Sequence, residues 1–217
     1  MNPSEFCFHE EKIAELRAFV KAQISPKRWA HTAEVEKMVV RLSALYCPQK
    51  TNFLRAAALL HDITKEWPVE KHCAFCKARG IRLSRQDILA YKTLHARTAA
   101  ALIPAEFPAF AHPEVISAVR WHTTGRANMT IPEKLLYLAD YIDESRTFPD
   151  CVLLRETFWG AKPQTMKAEE RKEHLRKVLL RSFDLTIAAL LADGLPVAQE
   201  TINARNALIM EGAKKHI

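Results

Sequence analysis

The chain has 217 residues, 48% of them hydrophobic and 26% charged, and a formal charge of +7. That length supports one domain with a real core, and five glycines are few for a β-sandwich or a glycine-rich nucleotide-binding sheet. The basic balance is compatible with nucleic acid, anionic lipid or phosphorylated small molecules, and by itself selects none of them.

The opening "MNPSEFCFHE" has no apolar core behind a basic start. No apolar run approaches the roughly 20 residues that span a bilayer. The five cysteines lack a disulfide-framework spacing. A reduced, cytoplasmic protein is expected.

The predicted elements are all helical. Residues 1–24 read as an N-terminal extension, one extra amphipathic helix. From Lys27 to Tyr46, His31, Val35, Met38, Leu42 and Leu45 recur at helical spacing, which puts His31 on the inward stripe. A second helix is expected from Asn52 to His61, capped by Thr51 or Asn52. Its apolar run passes into "HDITK", with His61 and Asp62 followed one turn later by Lys65. A third covers Pro68 to Arg79 and stops at Gly80, and Ser84 opens a short one. The alanine-rich "TLHARTAAAL" gives a helix from Thr93 to Leu102 that Pro104 and Pro108 end. Pro113 suits a helix's first position, and that helix runs to His122 before "TTGR". Pro132 starts the next, whose Leu135, Leu138, Ala139 and Ile142 form an inward face beside Asp140. A looser stretch from Arg146 to Gln164 leads into a long amphipathic helix from Ala168 to Ala192, stopped by Gly194 and Pro196. A last helix begins near Thr201 and runs towards Ile217. No hairpin signal appears, so the fold class is all-α: a helical bundle core over 25–160 with helices of 161–217 packed on it, a single domain overall.

The polar residues on apolar helix faces or at helix ends are His31, His61, Asp62, His95, His122 and Asp140. Bundles build metal sites in this way, from inward side chains of several helices. Mixed nitrogen and oxygen donors suit a borderline divalent ion such as iron, manganese, nickel or zinc. Each residue alone has a plainer reading. A single His on an apolar face is usually a satisfied core residue, His61 suits a helix C-terminus, and Asp140 is within reach of pairing with Arg120 or Arg146. All of these plainer readings would have to hold together.

In order and spacing, His31, "HD" at His61 and Asp62, His95, His122 and Asp140 resemble the HD-domain superfamily of metal-dependent phosphohydrolases. "HDITK", the downstream string "WHTTGRANMTIPEKLLYLADYIDESRTF" and the C-terminal "LPVAQETINARNALI" are similar to one family within it, the symmetrical bis(5′-nucleosyl)-tetraphosphatases. The similarity runs from about Ile24 to Met210. It implies an all-α HD fold with the metal site at its centre, cleavage of diadenosine tetraphosphate to two ADP, and iron as the metal, with manganese, nickel, zinc or cobalt as alternatives. It assigns His31, His61, Asp62 and Asp140 as ligands of the principal ion. His95 and His122 match positions that hold a second ion with Asp62 in two-metal relatives, and that lie beside the nucleotide phosphates in this family. The count, one ion or two, stays open.

A divalent ion acidifies its water and polarises a phosphoryl oxygen, so a metal-bound hydroxide is expected to attack the second phosphorus of the tetraphosphate. Asp62 would ligate the ion and orient the water, Lys65 would meet the phosphates, and His95 and His122 would bind or protonate the departing oxygens. Arg126, Arg146 and Asp140 complete the expected phosphate-binding set, Arg being suited to bidentate contacts. For Tyr141 and Phe148, core packing is the expected role and stacking on a base the alternative. Cys73 and Cys76 have C-x-x-C spacing beside His72, but without a fourth ligand they read as packing residues.

The partner is therefore a small nucleotide, with membrane excluded, nucleic acid disfavoured because the basic helix near Arg171 to Arg181 also carries acidic residues, and a homodimer left open. Two rival readings remain: an HD-type phosphohydrolase of another nucleotide (a deoxynucleoside triphosphate, a nucleoside monophosphate or a guanosine alarmone), or a nucleotide sensor without turnover.

Overall fold

A computed structural model describes residues 8–213. Among them there are α-helices and short 3-10 turns and no strand. Cys7 and the last four residues lie outside the described residues. No described helix is long and apolar enough to cross a membrane.

The first helix, α1 (Glu10–Gln23), buries Ile13, Leu16 and Val20. It packs on α2 (Pro26–Tyr46) and α3 (Thr51–Leu60). The join is partly ionic: Glu36 of α2, buried, accepts from Arg17 at 2.6 and 2.9 Å and from Arg55 at 3.0 Å. A buried carboxylate needs such partners to offset its lost hydration.

Helix α2 begins as its sequence dictates. Ser25 accepts from the Arg28 N–H, and Pro26 takes a first-turn position where a missing donor costs nothing. His31, Val35, Met38 and Leu42 form its buried stripe. Helix α3 starts without a side-chain cap, because a 3-10 turn over Pro48–Lys50 leads into it. Thr51 and Asn52 bond elsewhere: the Thr51 hydroxyl donates to the Pro48 carbonyl and Asn52 Nδ2 to the Phe8 carbonyl.

Next come α4 (Val69–Ala78), α5 (Arg85–Leu89, opened by a Ser84–Asp87 capping box) and α6 (Leu94–Glu106). Pro104 does not stop α6. It lies in the last turn, where only one carbonyl loses its donor, and the Phe107 N–H closes the helix on Ile103 at 2.9 Å. Helix α7 (Pro113–Trp121) leads through Gly125 to α8 (Ile131–Ile142), which starts one residue before Pro132 behind a Thr130–Glu133 capping box.

Residues 146–164 are not a loose stretch. They hold α9 (Pro149–Gly160), whose Cys151, Leu154 and Phe158 are buried and which packs on α8 and on α10 (Ala168–Ala192). Arg155 donates to the carbonyls of Asp143 at 2.5 Å and Arg146 at 3.2 Å, so α9 also closes the C-terminal end of α8. Helix α11 (Gln199–Ala213) packs back on α10. At the centre, α2, α3, α7 and α8 pack on one another, with α6 against α7.

Candidate active site

The turn that follows α3 carries the first half of the site. It is fixed from both sides. Ser25, at the start of α2, donates to Glu66 through its backbone N–H at 3.0 Å and through its hydroxyl. On the other side the Thr64 hydroxyl donates to the His95 carbonyl at 3.0 Å, binding the turn to α6. Asp62 and Lys65, one hydrogen-bonded turn apart, therefore both reach His95, and Asp62 also faces His31.

Six residues from five helices and their ends converge here. His31 Nε2 lies 2.9 Å from Asp140 Oδ1, and His61 Nε2 lies 3.8 Å from the same oxygen. Asp62 stands between two groups. Its Oδ2 faces His61 Nε2 at 3.5 Å and His31 Nε2 at 3.8 Å; its Oδ1 faces His95 Nε2 at 3.2 Å and His122 Nε2 at 3.7 Å. His95 and His122 approach through their Nε2 atoms at 3.0 Å.

The tautomers explain why this is a cation site and not a satisfied core. His61 Nδ1 lies 2.6 Å from the Ala58 carbonyl, His95 Nδ1 2.9 Å from Lys92 and His122 Nδ1 2.7 Å from Val119, each three residues back in its own segment. A carbonyl only accepts, so Nδ1 carries the proton in all three rings. Each Nε2 then turns a lone pair inward. Lone pairs and two carboxylates facing one another repel unless protons or a cation come between them.

Protons are disfavoured on two of the rings. Burial pushes the pKa of His61 down to about 4 and that of His95 to about 3, against the pull of Asp62. Burial also opposes His31, but Asp140 and Asp143 overcome it and raise its pKa to about 9. Burial resists ionisation of both carboxylates, yet Asp62 among the imidazoles and Asp140 beside Arg146 stay well below the usual carboxylate range.

The orphaned atoms fit a metal. His31 Nε2, His61 Nε2 and Asp62 Oδ1 are buried without a hydrogen bond of good geometry. Two overlapping sets, His31–His61–Asp140 and His61–Asp62–His122, have donor atoms within 4.8 Å of one another. Mixed imidazole and carboxylate donors in such sets suit a divalent ion.

Other expected residues divide. Lys65 Nζ reaches both ring nitrogens of His95, at 3.1 and 3.2 Å, and burial lowers its pKa against the pull of Asp62 and Asp140. Arg146 sits on Asp140, with Nη2 2.6 Å from Oδ1. Arg126 is not in the cluster. It donates at 3.0 Å to Glu133, which is buried in the first turn of α8 and cannot be left uncompensated. Glu133 is seven residues from Asp140, about 10 Å along the helix. Tyr141 packs against the core, whereas Phe148 is 64% exposed at the start of α9 and is not a core residue. Cys76 is buried and Cys73 partly so; neither joins a metal-type cluster among the described residues.

Three site residues escape a reading by motif. Arg28 donates to Asp62 Oδ2 at 2.6 Å; it precedes His31 by three and so shares its helix face. Asp143, one turn after Asp140, lies 3.4 Å from His31 Nδ1 and binds Ser145 through its other oxygen. The Thr123 hydroxyl is 3.1 Å from Nε2 of both His95 and His122. His31 Nδ1 meets the Ser145 hydroxyl at 3.2 Å, and that hydroxyl donates to Asp143, so Asp143 orients His31 directly and through Ser145, a position whose loss typically weakens metal binding about 10–100-fold. Asp143→Asn is expected to weaken metal affinity by that factor in a competition titration with a chelator, with helix content unchanged.

A helical shell around two imidazole–carboxylate sets is the architecture of an HD-domain protein, and the HD domain family model matches residues 28–145. The chain belongs to that family, and within it to the group of the symmetrical bis(5′-nucleosyl)-tetraphosphatases. It is 30% identical over 194 residues to the Halalkalibacterium halodurans protein of that name, covering 88% of this chain and 94% of that one. The Staphylococcus aureus protein of the same name is 28% identical over 196 residues, covering 89% and 93%. A solved structure from Clostridium acetobutylicum, described as a predicted HD superfamily hydrolase involved in NAD metabolism, matches with a TM-score of 0.79 and 32% identity, covering 91% of this chain and 97% of that one.

Proposed function

We propose that the protein is a metal-dependent hydrolase that cleaves diadenosine tetraphosphate symmetrically to two ADP. The observation that carries the reading is the inward convergence of imidazole lone pairs on Asp62 and Asp140. The names of the Halalkalibacterium halodurans and Staphylococcus aureus relatives support the substrate.

His31, His61, Asp62 and Asp140 would hold the principal ion, for which we propose iron, with manganese, nickel, zinc or cobalt as substitutes. The two-sided placement of Asp62 favours a second ion position towards His95 and His122. A bound divalent ion supplies Lewis acidity towards a phosphoryl oxygen and an acidified water. The chain's own groups do the rest. Asp62 orients the attacking water. Lys65 neutralises the phosphate charge beside His95 as a point charge in a poorly solvated place, where each charge contact counts for more. Of the facing pair His95 and His122, one Nε2 would take the proton that the attacking water releases and pass it to the departing oxygen. Arg146 holds Asp140 in place and is proposed to contact the phosphates as well.

The decisive assay is product analysis on diadenosine tetraphosphate with Fe²⁺ or Mn²⁺. ADP as sole product is expected; ATP with AMP, or no turnover alongside brisk hydrolysis of another nucleotide, would overturn the assignment. Lys65→Ala is expected to lower kcat by about 10²-fold or more while metal content stays at the wild-type level. Loss of the metal in that variant would mean that Lys65 supports the cluster and does not serve the substrate.

A further inference from the structure

Beside the imidazoles lies a cavity of about 150 Å³ that none of the roles above uses. It is lined by Leu89 at the end of α5, by Tyr91 and Lys92 after it, by Thr186 and Leu190 of α10 and by Leu195 beyond that helix. None of the six clustered residues lines it, but two of its lining residues touch them. Thr123 lines it and touches Nε2 of both His95 and His122, while Lys92, whose carbonyl fixes the His95 tautomer, lines it too. Its surface is predominantly aliphatic and aromatic, with threonine hydroxyls at the edges. Leu89 and Tyr91 are 59% and 47% exposed, apolar surface that water covers poorly.

We propose that this cavity holds the nucleobase of one end of the dinucleoside tetraphosphate, so that the C-terminal helices, outside the metal-binding core, position the substrate. The inference rests on the function proposed above and adds to it where the base binds. Three observations favour a base as occupant. A cavity near 150 Å³ with aliphatic walls takes up an aromatic ring. A flat ring slotted between Tyr91 and Leu190 would cover surface that is now wet. And the Thr123 contact keeps the cavity next to the imidazoles that would meet the phosphates, as a nucleoside joined to those phosphates requires.

The test uses the metal-loaded, full-length protein and two probes that share phosphates but differ in the base: ADP and inorganic pyrophosphate. Irradiation with 8-azido-ADP is expected to label peptides containing residues 88–93 or 186–201, with ADP protecting and pyrophosphate not. Labelling confined to other peptides overturns the proposal. Leu190→Trp, which fills the slot, is expected to weaken ADP binding at least about tenfold, the loss of some 1.4 kcal/mol, and to leave pyrophosphate binding unchanged. ADP affinity equal to wild type overturns the proposal, and if the substitution damages both affinities the photolabel on the wild-type protein decides. Failure here is distinct from failure of the activity: a wild-type protein that makes ADP from diadenosine tetraphosphate but labels elsewhere loses only the base site.

Discussion

Asp62→Ala is expected to leave a folded helical protein that retains no metal and turns over diadenosine tetraphosphate at least about 10³-fold more slowly, as when one member of a catalytic unit is removed. No other residue has its reach. One carboxylate oxygen addresses His31 and His61, the other His95 and His122. Without it the two halves of the cluster share no anion, and the Arg28 guanidinium, now 2.6 Å from Asp62, loses that carboxylate. An unbalanced positive charge at that place repels a divalent ion and adds to the lost ligand. Metal analysis after gel filtration, circular dichroism and single-turnover kinetics check the three parts separately. Full activity in this variant would end the hydrolase proposal as built here.

Gly125→Ala is expected to be the most damaging single methyl addition, costing about 2–4 kcal/mol from a left-handed backbone and an overpacked contact together. Gly125 has φ +63°, and a Cβ there would sit 2.6 Å from Phe183 and 2.9 Å from Ala204. Neither neighbour gives easily. Phe183 is fully buried and stacked on Tyr137 with ring centroids 4.5 Å apart, and Ala204 is buried in α11. A loss of that size should lower the melting temperature by roughly 5–12 °C in a chain of this length, read by calorimetry on the metal-free protein. A melting temperature within a degree of wild type would show that α10 and α11 do not bear on the α7–α8 turn as tightly as the contact implies.

The two variants separate the two kinds of information in the chain. The candidate site was largely legible because its residues break a pattern: an imidazole on the stripe of Val35, Met38 and Leu42, a carboxylate inside the inward face of α8, and "HD" at the end of an apolar run. Such polar groups stand out since burying them without partners is costly. Arg28 and Asp143 were not legible. A charged residue one turn from a ligand looks the same in sequence whether it faces water or the cluster.

The pairing of Arg126 was not legible for the complementary reason. It follows a turn glycine inside the motif string, yet its charge goes to Glu133, a capping residue whose burial no local pattern reveals. In the same way α9 was missed: Cys151, Leu154 and Phe158 are helical in spacing, but the charged and aromatic residues between them hide a stripe that only α8 and α10 define. Pro104 reads as a stop although it lies where one missing donor is tolerated.

By itself the sequence determined the helices with strong periodicity and some of their ends, such as Ser84 and Pro113, because these rest on contacts within a few residues. It also determined which side chains had to find a common partner. Only the tertiary structure decided which tautomer each imidazole adopts, which carboxylate bridges the two halves of the cluster, and that a cavity walled by α10 opens beside it. Those depend on distances between segments far apart in the chain, and local spacing carries no record of them.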